Sequence, residues 1–479
     1  MDIKKIAASG VKWTTLSSVV SSIVKLAQVA ILTRYLTKAD FGIIAIAILF
    51  ISFTRIFLDM GLSTAIMHKQ QISKNEYSSL FWLNVFTGII LSVLLMLCAP
   101  LVSMYYEEDI LTPIIQLLSL NIFFSSIGRQ SKTIRHKQMN FKFMSIVDNS
   151  VSILTLVLVV VLAMNGYGVY SLVYSTMFEI ILSNIIYLVH GIYTDKNISA
   201  HFSFAETKTY LNIGVYQLGS SILDYFAREI DVFLISTAFG KETLGAYSLC
   251  KRIVQMLYAI ITPILLKVAT PILATLQDSK ENMSKTFIKM LNIVSLINFP
   301  IFTLVALLSP LILKIVYGDS YVEYSFILTL LAGVYAITAA AGSVSSVQIA
   351  LGRTDIGLYW TIYRIIANAI VLYVGSLFSP TIMVALLLVS TIVNLWPFWR
   401  IQVKAMLSIS FFNFLRPMLF PSILSSVLLV VFYGFIDSEH IIKAIIITFI
   451  FVLVYLVGVY KFKEEYIPRA FKINNLLRK

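Results

Sequence analysis

The chain has 479 residues, of which 58% are hydrophobic and 13% charged, and its mean hydropathy is +0.87. About a quarter of the residues in a soluble domain are charged, so this composition excludes a water-soluble protein. The net charge of +13 does not indicate nucleic-acid binding, because no basic globular segment remains between the apolar runs. In a membrane protein the same excess of Lys and Arg reports topology.

Apolar runs of about twenty residues, long enough for an α-helix to cross a bilayer, recur from Trp13 to Tyr460. None alternates as a barrel strand does, so the sequence predicts an all-α polytopic membrane protein of about fourteen transmembrane helices. In chain order the predicted spans are 13–36, 41–66, 80–103, 110–128, 143–163, 168–190, 210–238, 244–269, 290–316, 325–351, 356–378, 380–399, 414–435 and 441–460.

The N-terminal segment runs directly into the first span without a cleavage site, which predicts an uncleaved first helix. Cys98 and Cys250 both lie inside apolar runs, which favours packed free thiols over a disulfide or a metal site.

Loop charges predict the orientation. Alternate loops collect most Lys and Arg, including the five between Arg129 and Lys142 and those of the 461–479 tail, whereas the opposite loops hold only Arg34, Lys38 and Lys241. The positive side is cytoplasmic, so both termini are predicted inside, with the basic tail lying on anionic lipid. The outer loops instead carry acids, which are Asp40, Glu107, Glu108, Asp109, Glu242, Asp319, Glu323, Asp437 and Glu439.

Enzyme signatures are missing from the sequence. The chain contains no GxxxxGK[ST] phosphate loop, no HExxH and no GxSxG in a strand-to-helix context, so ATP-driven transport, zinc hydrolysis and serine hydrolysis have no support. Every loop is short, which leaves no external segment to carry the catalytic carboxylates of a polymerase. We therefore expect a transporter without a catalytic site, a metal or a cofactor.

An internal repeat relates ILTRYLTKADFG (31–42) to LISTAFGKETLG (234–245), with Gly42 aligned to Gly245. Each copy is the external hairpin between the first two helices of a set, and six spans separate them, so both have the same membrane orientation. Parallel repeats of this kind are a transporter architecture that binds substrate between its halves. The same offset aligns Lys25 with Arg228, which predicts that both face a shared central cavity.

Cations deep in the predicted spans are candidate ligands for an anionic substrate, because a charge at that depth costs at least about 2.5 kcal/mol. They are Lys25, Arg55, Arg228, Lys251, Arg252 and Arg364. Structural ion pairs are the alternative for the two arginines with acids nearby: Asp59 follows Arg55 by four residues, and Asp224 precedes Arg228 by four. Arg suits phosphate oxygens, and a pyrophosphate would benefit from several converging cations.

Acids in the spans are candidates for coupling transport to H⁺ or Na⁺, because burial raises the pKa of a carboxylate. They are Asp148, Glu179, Asp224 and Asp231. Asp148 and Glu179 have no cation within four residues, which favours them for this role.

Several motifs resemble one family nearly from end to end. They are LTRYLTKADFG (32–42), DMGLSTAI (59–66), LFWLN (80–84), REIDVFLIS (228–236), LGAYSL (244–249), NFP (298–300), VYGDSY (316–321) and ALGRTD (350–355). Together they resemble the polysaccharide exporters, or lipid-linked oligosaccharide flippases, of the multidrug/oligosaccharidyl-lipid/polysaccharide superfamily, especially the colanic-acid and teichuronic-acid exporter branch. The chain departs from that pattern at Lys38, where relatives commonly have Pro.

The resemblance implies two six-helix lobes around a central cavity plus two C-terminal helices. On this basis we expect an N-terminal lobe at 1–200, a C-terminal lobe at 201–405, two further helices at 406–460 and the basic tail at 461–479. It further implies export of an undecaprenyl-pyrophosphate-linked sugar repeat unit for O-antigen, capsule or related polymers by alternating access, in a bacterial cytoplasmic membrane. We expect a monomer that works beside a polymerase and glycosyltransferases.

Two alternatives remain open from the sequence. A cation-coupled multidrug exporter of the same superfamily would need an acidic cavity, which the buried cations disfavour. A membrane-embedded polysaccharide polymerase or glycosyltransferase is disfavoured by the short external loops.

Overall fold

The computed structural model describes residues 3–69, 72–195, 198–435 and 441–462. Within these ranges the chain is helical and contains no β-strand, which confirms the predicted all-α polytopic fold. The predicted tail from residue 463 onward, and Asp437 and Glu439 of the last external loop, lie outside the described residues. Chain contacts divide the protein into two compact units, Met1–Ser248 and Leu249–Lys479. The predicted lobe boundaries remain a prediction.

The first unit is built from eight helices, the last of which continues past its boundary. They are α1 (Ile3–Leu32), α2 (Lys38–Asp59), α3 (Leu62–His68), α4 (Lys74–Tyr106), α5 (Leu111–Lys137), α6 (Phe141–Met164), α7 (Tyr170–Asp195) and α8 (Phe204–Ala274). Helix α5 is central, because it packs against α2, α4, α6 and α7, and α1 packs on α6.

The second unit contains shorter and more interrupted helices. They are α9 (Lys280–Leu307), α10 (Ser309–Tyr317), a 3₁₀ turn (Asp319–Tyr324), α11 (Ser325–Ala341), α12 (Val344–Leu351), α13 (Thr354–Ser376), α14 (Pro380–Val393), α15 (Leu395–Phe398), a π turn (Trp399–Val403), α16 (Lys404–Met406), α17 (Phe411–Tyr433) and α18 (Ile441–Phe462). Helix α9 packs on α11 and α17, and α18 packs on α17 and α9.

Twelve segments in the described residues are long and apolar enough to cross a membrane. Helix α8 supplies two more arms, 204–239 and 241–274, because its backbone breaks at Gly240 (φ 77°, ψ 179°), a conformation open essentially to glycine alone. With these arms, each of the fourteen predicted spans corresponds to a helical segment.

Local sequence explains where helices begin and end. Thr37 and Asp40 form a capping box at the N-terminus of α2, and Ser73 and Glu76 form one at the N-terminus of α4. In each box the two side chains accept hydrogen bonds from backbone amides that have no partner within the helix. The predicted span 41–66 is too long. Helix α2 ends at Asp59 because Met60 and Gly61 turn into the left-handed region (φ 42° and 68°).

The two copies of the repeat hairpin touch each other reciprocally within the first unit. A Cβ added to Gly42 would overlap the Lys241 carbonyl, and one added to Gly245 would overlap the Lys38 carbonyl. Since the repeat aligns Gly42 with Gly245 and Lys38 with Lys241, equivalent residues exchange equivalent contacts. The backbones approach so closely there that only glycine fits.

Candidate functional site

Helix α1 exposes two different faces. Leu16 and Ile23, seven residues apart, are 49% and 62% exposed and form an apolar stripe. Ser18 and Lys25, also seven apart, are exposed on another side of the helix. Lys25 makes no hydrogen bond or ion pair with any residue that the structure describes. An apolar stripe suits acyl chains, whereas a lysine at this depth needs water or an anion.

The first arm of α8 repeats this pattern. Val215, Phe226 and Phe233 form an exposed apolar stripe, and Asp224 and Arg228 lie exposed on a different side. The repeat offset aligns Ile23 with Phe226 and Lys25 with Arg228, and all four side chains are exposed. Arg228 donates from Nε to the backbone carbonyl of Asp224 at 3.2 Å.

Arg55, on α2, is partly buried and its Nε has no hydrogen-bond partner. No hydrogen bond joins it to Asp59, the partner that the four-residue spacing suggests. Instead Asp59 Oδ1 accepts from Arg129 Nε at 2.8 Å and from Ser63 Oγ at 2.6 Å. Arg129 and Glu179 both lie within electrostatic reach of Arg55. Two guanidinium groups therefore lie near each other inside the membrane domain.

Sequence reasoning assigned Arg129 and Lys132 to a cytoplasmic loop, but the structure places both inside α5, which continues to Lys137 instead of ending near residue 128. The cations of this last part of the helix have partners elsewhere in the fold. Arg129 reaches Asp59 of α2, and Lys137 donates to the backbone carbonyls of Ile66 and Lys69. These partners are distant in the chain, so local sequence does not indicate them.

Asp148, on α6, accepts from Lys132 Nζ at 3.1 and 3.2 Å and from the Tyr187 hydroxyl at 3.1 Å. The Lys132 ammonium also lies 5.0 Å from the centre of the Tyr187 ring. Glu179, on α7, has Arg55 within electrostatic reach. Both acids that lack a cation nearby in the sequence thus receive one through tertiary packing around α5.

The remaining acids lie on α8. Asp231 is buried, with 8% of its surface exposed, and it accepts from the Val232 amide at 2.8 Å and from the Tyr247 hydroxyl. Asp224 is exposed beside Arg228. Asp231 is therefore buried and hydrogen-bonded, whereas Asp224 lies on the exposed polar side of the helix.

The other predicted cations belong to the second unit. Lys251 is buried at 5% exposure, while Arg252 and, on α13, Arg364 are partly buried. Arg252 lies within electrostatic reach of Tyr317. In the ranges that the structure describes, no group of three or more His, Cys, Asp or Glu residues is arranged to hold a metal ion.

The segment before α8 is fastened to the start of α4. Ser78 Oγ donates to the carbonyls of Ser199 and His201, and Trp82 Nε1 donates to Ser199 at 2.8 Å. The Ser79 hydroxyl donates to Glu206, whose other contact is His201. The Ser79 hydrogen bond, followed by that of His201, lowers the pKa of Glu206 below its ordinary value.

Comparison with known protein families gives one match that covers most of the chain. The family described as "Polysaccharide biosynthesis protein" matches residues 31–326. Among curated proteins, the chain is 27% identical to the teichuronic acid biosynthesis protein TuaB of Bacillus subtilis (strain 168), over 79% of this chain and 77% of TuaB. It is 25% identical to the lipopolysaccharide biosynthesis protein WzxC of Escherichia coli (strain K12), over 91% of this chain and 88% of WzxC.

Solved structures share the fold. The lipid II flippase MurJ in an inward closed conformation matches with a TM-score of 0.77 at 16% identity, over 96% of this chain and 100% of that one. An inward-facing multidrug resistance MATE family transporter of the MOP superfamily matches with a TM-score of 0.64 at 15% identity, over 80% of this chain and 95% of that one. At such identities the likeness concerns the fold alone.

Proposed function

Because the chain belongs to the polysaccharide biosynthesis protein family, we propose that it flips an undecaprenyl-pyrophosphate-linked oligosaccharide repeat unit from the inner to the outer leaflet by alternating access. The names of its relatives support this class of cargo, since they concern teichuronic acid biosynthesis, lipopolysaccharide biosynthesis and, for ExoT of Rhizobium meliloti (strain 1021), succinoglycan biosynthesis transport. The protein is a multi-pass membrane transporter and not an enzyme.

The observation that carries the proposal is the guanidinium of Arg55. Its Nε is buried without a hydrogen-bond partner, and a second cation, Arg129, lies within electrostatic reach of it. A buried donor left unsatisfied costs about 1–3 kcal/mol, and more when the group is charged. A pyrophosphate has enough anionic oxygens to accept from both guanidinium groups, and Arg matches the geometry of phosphate.

Lys25 and Arg228 support an anionic cargo independently. Each lies on an exposed polar side of a helix whose other exposed side is apolar, which is the arrangement expected between lipid and an aqueous cavity. We infer that these two residues, with Arg55, Lys251, Arg252 and Arg364, line the substrate pathway. The cation-coupled multidrug exporter would instead need acids at such positions.

The remaining parts of the proposal follow from the sequence. Residues 1–200 form the N-terminal lobe and residues 201–405 the C-terminal lobe, and residues 406–460 contain two additional helices. Both termini face the cytoplasm. Asp148, Glu179, Asp224 or Asp231 couples transport to H⁺ or Na⁺. The protein acts as a monomer and delivers its cargo to a polymerase, downstream of glycosyltransferases.

A cellular experiment tests this function. In a strain that lacks the gene, we expect the lipid-linked repeat unit to accumulate on the cytoplasmic leaflet, and Lys25→Ala combined with Arg228→Ala should fail to restore export although the protein is present in the membrane. Lys285→Ala, which removes an exposed cation, is the matched control and should restore export. Normal turnover of the repeat unit in the deletion strain would overturn the proposal.

A further inference from the structure

Helix α5 carries two cations, Arg129 and Lys132, three residues apart on one side of the helix. Each is held by a carboxylate from a different helix, Arg129 by Asp59 of α2 and Lys132 by Asp148 of α6. Both remain accessible, since 33% of the Arg129 side chain and 43% of the Lys132 side chain are exposed. A ligand in the aqueous part of the fold can therefore reach cations that already have counter-ions.

The Arg129–Asp59 contact uses only part of the hydrogen-bonding capacity of both groups. Arg129 donates from Nε alone, so neither of its two Nη groups has a partner among the described residues. Asp59 accepts through Oδ1 alone, and that oxygen also accepts from Ser63. The strong form of an arginine–carboxylate pair is bidentate. The Arg129–Asp59 pair instead has one hydrogen bond, and its acceptor oxygen is shared with Ser63. Such a pair can be exchanged for another anion more easily than a bidentate one.

Ser63 provides a hydrogen-bond donor that Asp59 keeps when Arg129 leaves it. It lies on α3, just beyond the break at Met60 and Gly61, and its hydroxyl donates to Asp59 at 2.6 Å. If Arg129 turned toward another anion, Asp59 would keep this hydrogen bond. The cost of releasing Arg129 is thereby reduced, because the carboxylate is not left without a donor.

We propose that Asp59 is the resting counter-ion of Arg129 and that the diphosphate of the cargo displaces it, binding the Nη groups of Arg129 together with Arg55. This inference rests on the proposed function and adds a competing carboxylate to its site. Displacement replaces the direct ion pair between Asp59 of α2 and Arg129 of α5 by a link through the diphosphate, which Arg55 of α2 and Arg129 of α5 both bind. Loading of the site thus changes which groups join α2 to α5.

The test is a binding titration of the full chain in lipid nanodiscs with undecaprenyl pyrophosphate, using undecaprenol as the phosphate-free control. Asp59→Asn removes the competing charge and keeps an acceptor for Ser63, so we expect the pyrophosphate to bind about tenfold more tightly. Adding Arg129→Gln should abolish that gain. Glu281→Gln, which removes an exposed paired carboxylate, should leave affinity unchanged.

Ser63→Ala tests the same exchange from the opposite direction and leaves every charge in place. Without Ser63, Asp59 depends on Arg129, so the affinity should fall about threefold. Equal or weaker binding by a folded Asp59→Asn variant, or unchanged binding by Ser63→Ala, overturns the exchange. If the wild type does not bind undecaprenyl pyrophosphate in preference to undecaprenol, or Arg55→Gln binds it equally well, the proposed function fails as well.

Discussion

The two units of the chain use their ion pairs differently. The first unit has two local pairs, Lys69–Glu76 and His201–Glu206. It also has three pairs that join separate parts of the fold: Arg129–Asp59, Lys132–Asp148 and Lys241–Glu108. In the second unit, three pairs join near neighbours in the sequence: Lys285–Glu281, Lys314–Asp319 and Arg353–Asp355. Each of these three pairs of the second unit has at least one partner that is about half exposed or more.

Some charged residues thus join two helices, whereas others pair with a near neighbour at the protein surface. An exposed local pair contributes about 0–1 kcal/mol, because water competes for both groups and the side chains lose freedom. A pair between helices in a membrane domain fixes the helices relative to each other, and it can be disrupted by a ligand of the right charge. One member of these pairs, Arg129, lies within electrostatic reach of Arg55. Under the proposed function, Arg129 therefore contributes both to helix packing and to cargo binding.

The largest expected effect concerns the backbone contact that holds the two repeat hairpins together in the first unit. Gly42→Ala forces a methyl group into the Lys241 carbonyl, so it should lower the free energy of unfolding by about 1–3 kcal/mol. Gly245→Ala should have a similar effect, since its contact is the reciprocal one. Thermal unfolding of the purified protein in detergent measures both.

Gly219→Ala is the matched control for that substitution. Nothing lies within 4 Å of a Cβ at Gly219, which is in the interior of α8. Replacing glycine there should stabilise the helix by about 0.5–1 kcal/mol. If Gly42→Ala and Gly219→Ala unfold alike, the close approach of the hairpins is not a determinant of stability.

A second prediction addresses the contrast between the pairs directly. Lys132→Gln and Asp148→Asn should each cost about 1 kcal/mol, because each leaves a partner without its charge in a part-buried contact. The double variant should lose less than the sum of the two, with a coupling energy of at least about 0.5 kcal/mol. The cycle on Lys285 and Glu281, both more than 60% exposed, should give a coupling near zero. Equal couplings would remove the distinction between the two units.

The sequence predicts the helices better than it predicts the partners of their charges. Long apolar runs and a glycine-marked repeat are local patterns, so the spans and the alignment of Lys25 with Arg228 follow from them directly. Arg129 and Lys132 look like loop residues because a dense group of cations follows an apolar run. The structure continues α5 through both residues, and their carboxylate partners, Asp59 and Asp148, come from other helices.

The same limit applies to the candidate acids. A search within four residues finds no cation for Asp148 or Glu179, yet packing brings Lys132 to the first and Arg55 within electrostatic reach of the second. Conversely, Asp59 has the right spacing to pair with Arg55 but bonds to Arg129. Intrahelical spacing indicates only the partners within one helix. In this fold, packing against α5 supplies Arg129 to Asp59 and Lys132 to Asp148.

A third prediction concerns a neutral tertiary contact in the second unit. The Tyr455 hydroxyl on α18 donates to the Leu296 carbonyl of α9 at 3.1 Å. Pro300, four residues farther along α9, has no amide hydrogen to donate to that carbonyl. Tyr455→Phe should therefore cost about 1 kcal/mol in thermal unfolding. Tyr433→Phe, which removes an exposed hydroxyl from α17, should leave the unfolding temperature unchanged, and an equal loss in both variants would contradict this role of the Leu296 contact.

The smallest expected effect is a pH dependence at a local pair of the first unit. The fold lowers the pKa of Glu206, chiefly through the Ser79 hydrogen bond. Above the ordinary Glu pKa of about 4.3, the ionised carboxylate therefore stabilises the contact between α4 and the segment before α8. This stabilisation is lost as the pH falls through the lower pKa that Glu206 has in the folded protein. Trp82, bonded to Ser199 in that segment, reports docking. In a variant whose other tryptophans are replaced by Phe, Trp82 emission should shift to longer wavelength as the pH falls below the ordinary Glu pKa of about 4.3. Glu206→Gln should abolish this pH dependence, and a wild-type emission that stays constant as the pH falls would contradict it.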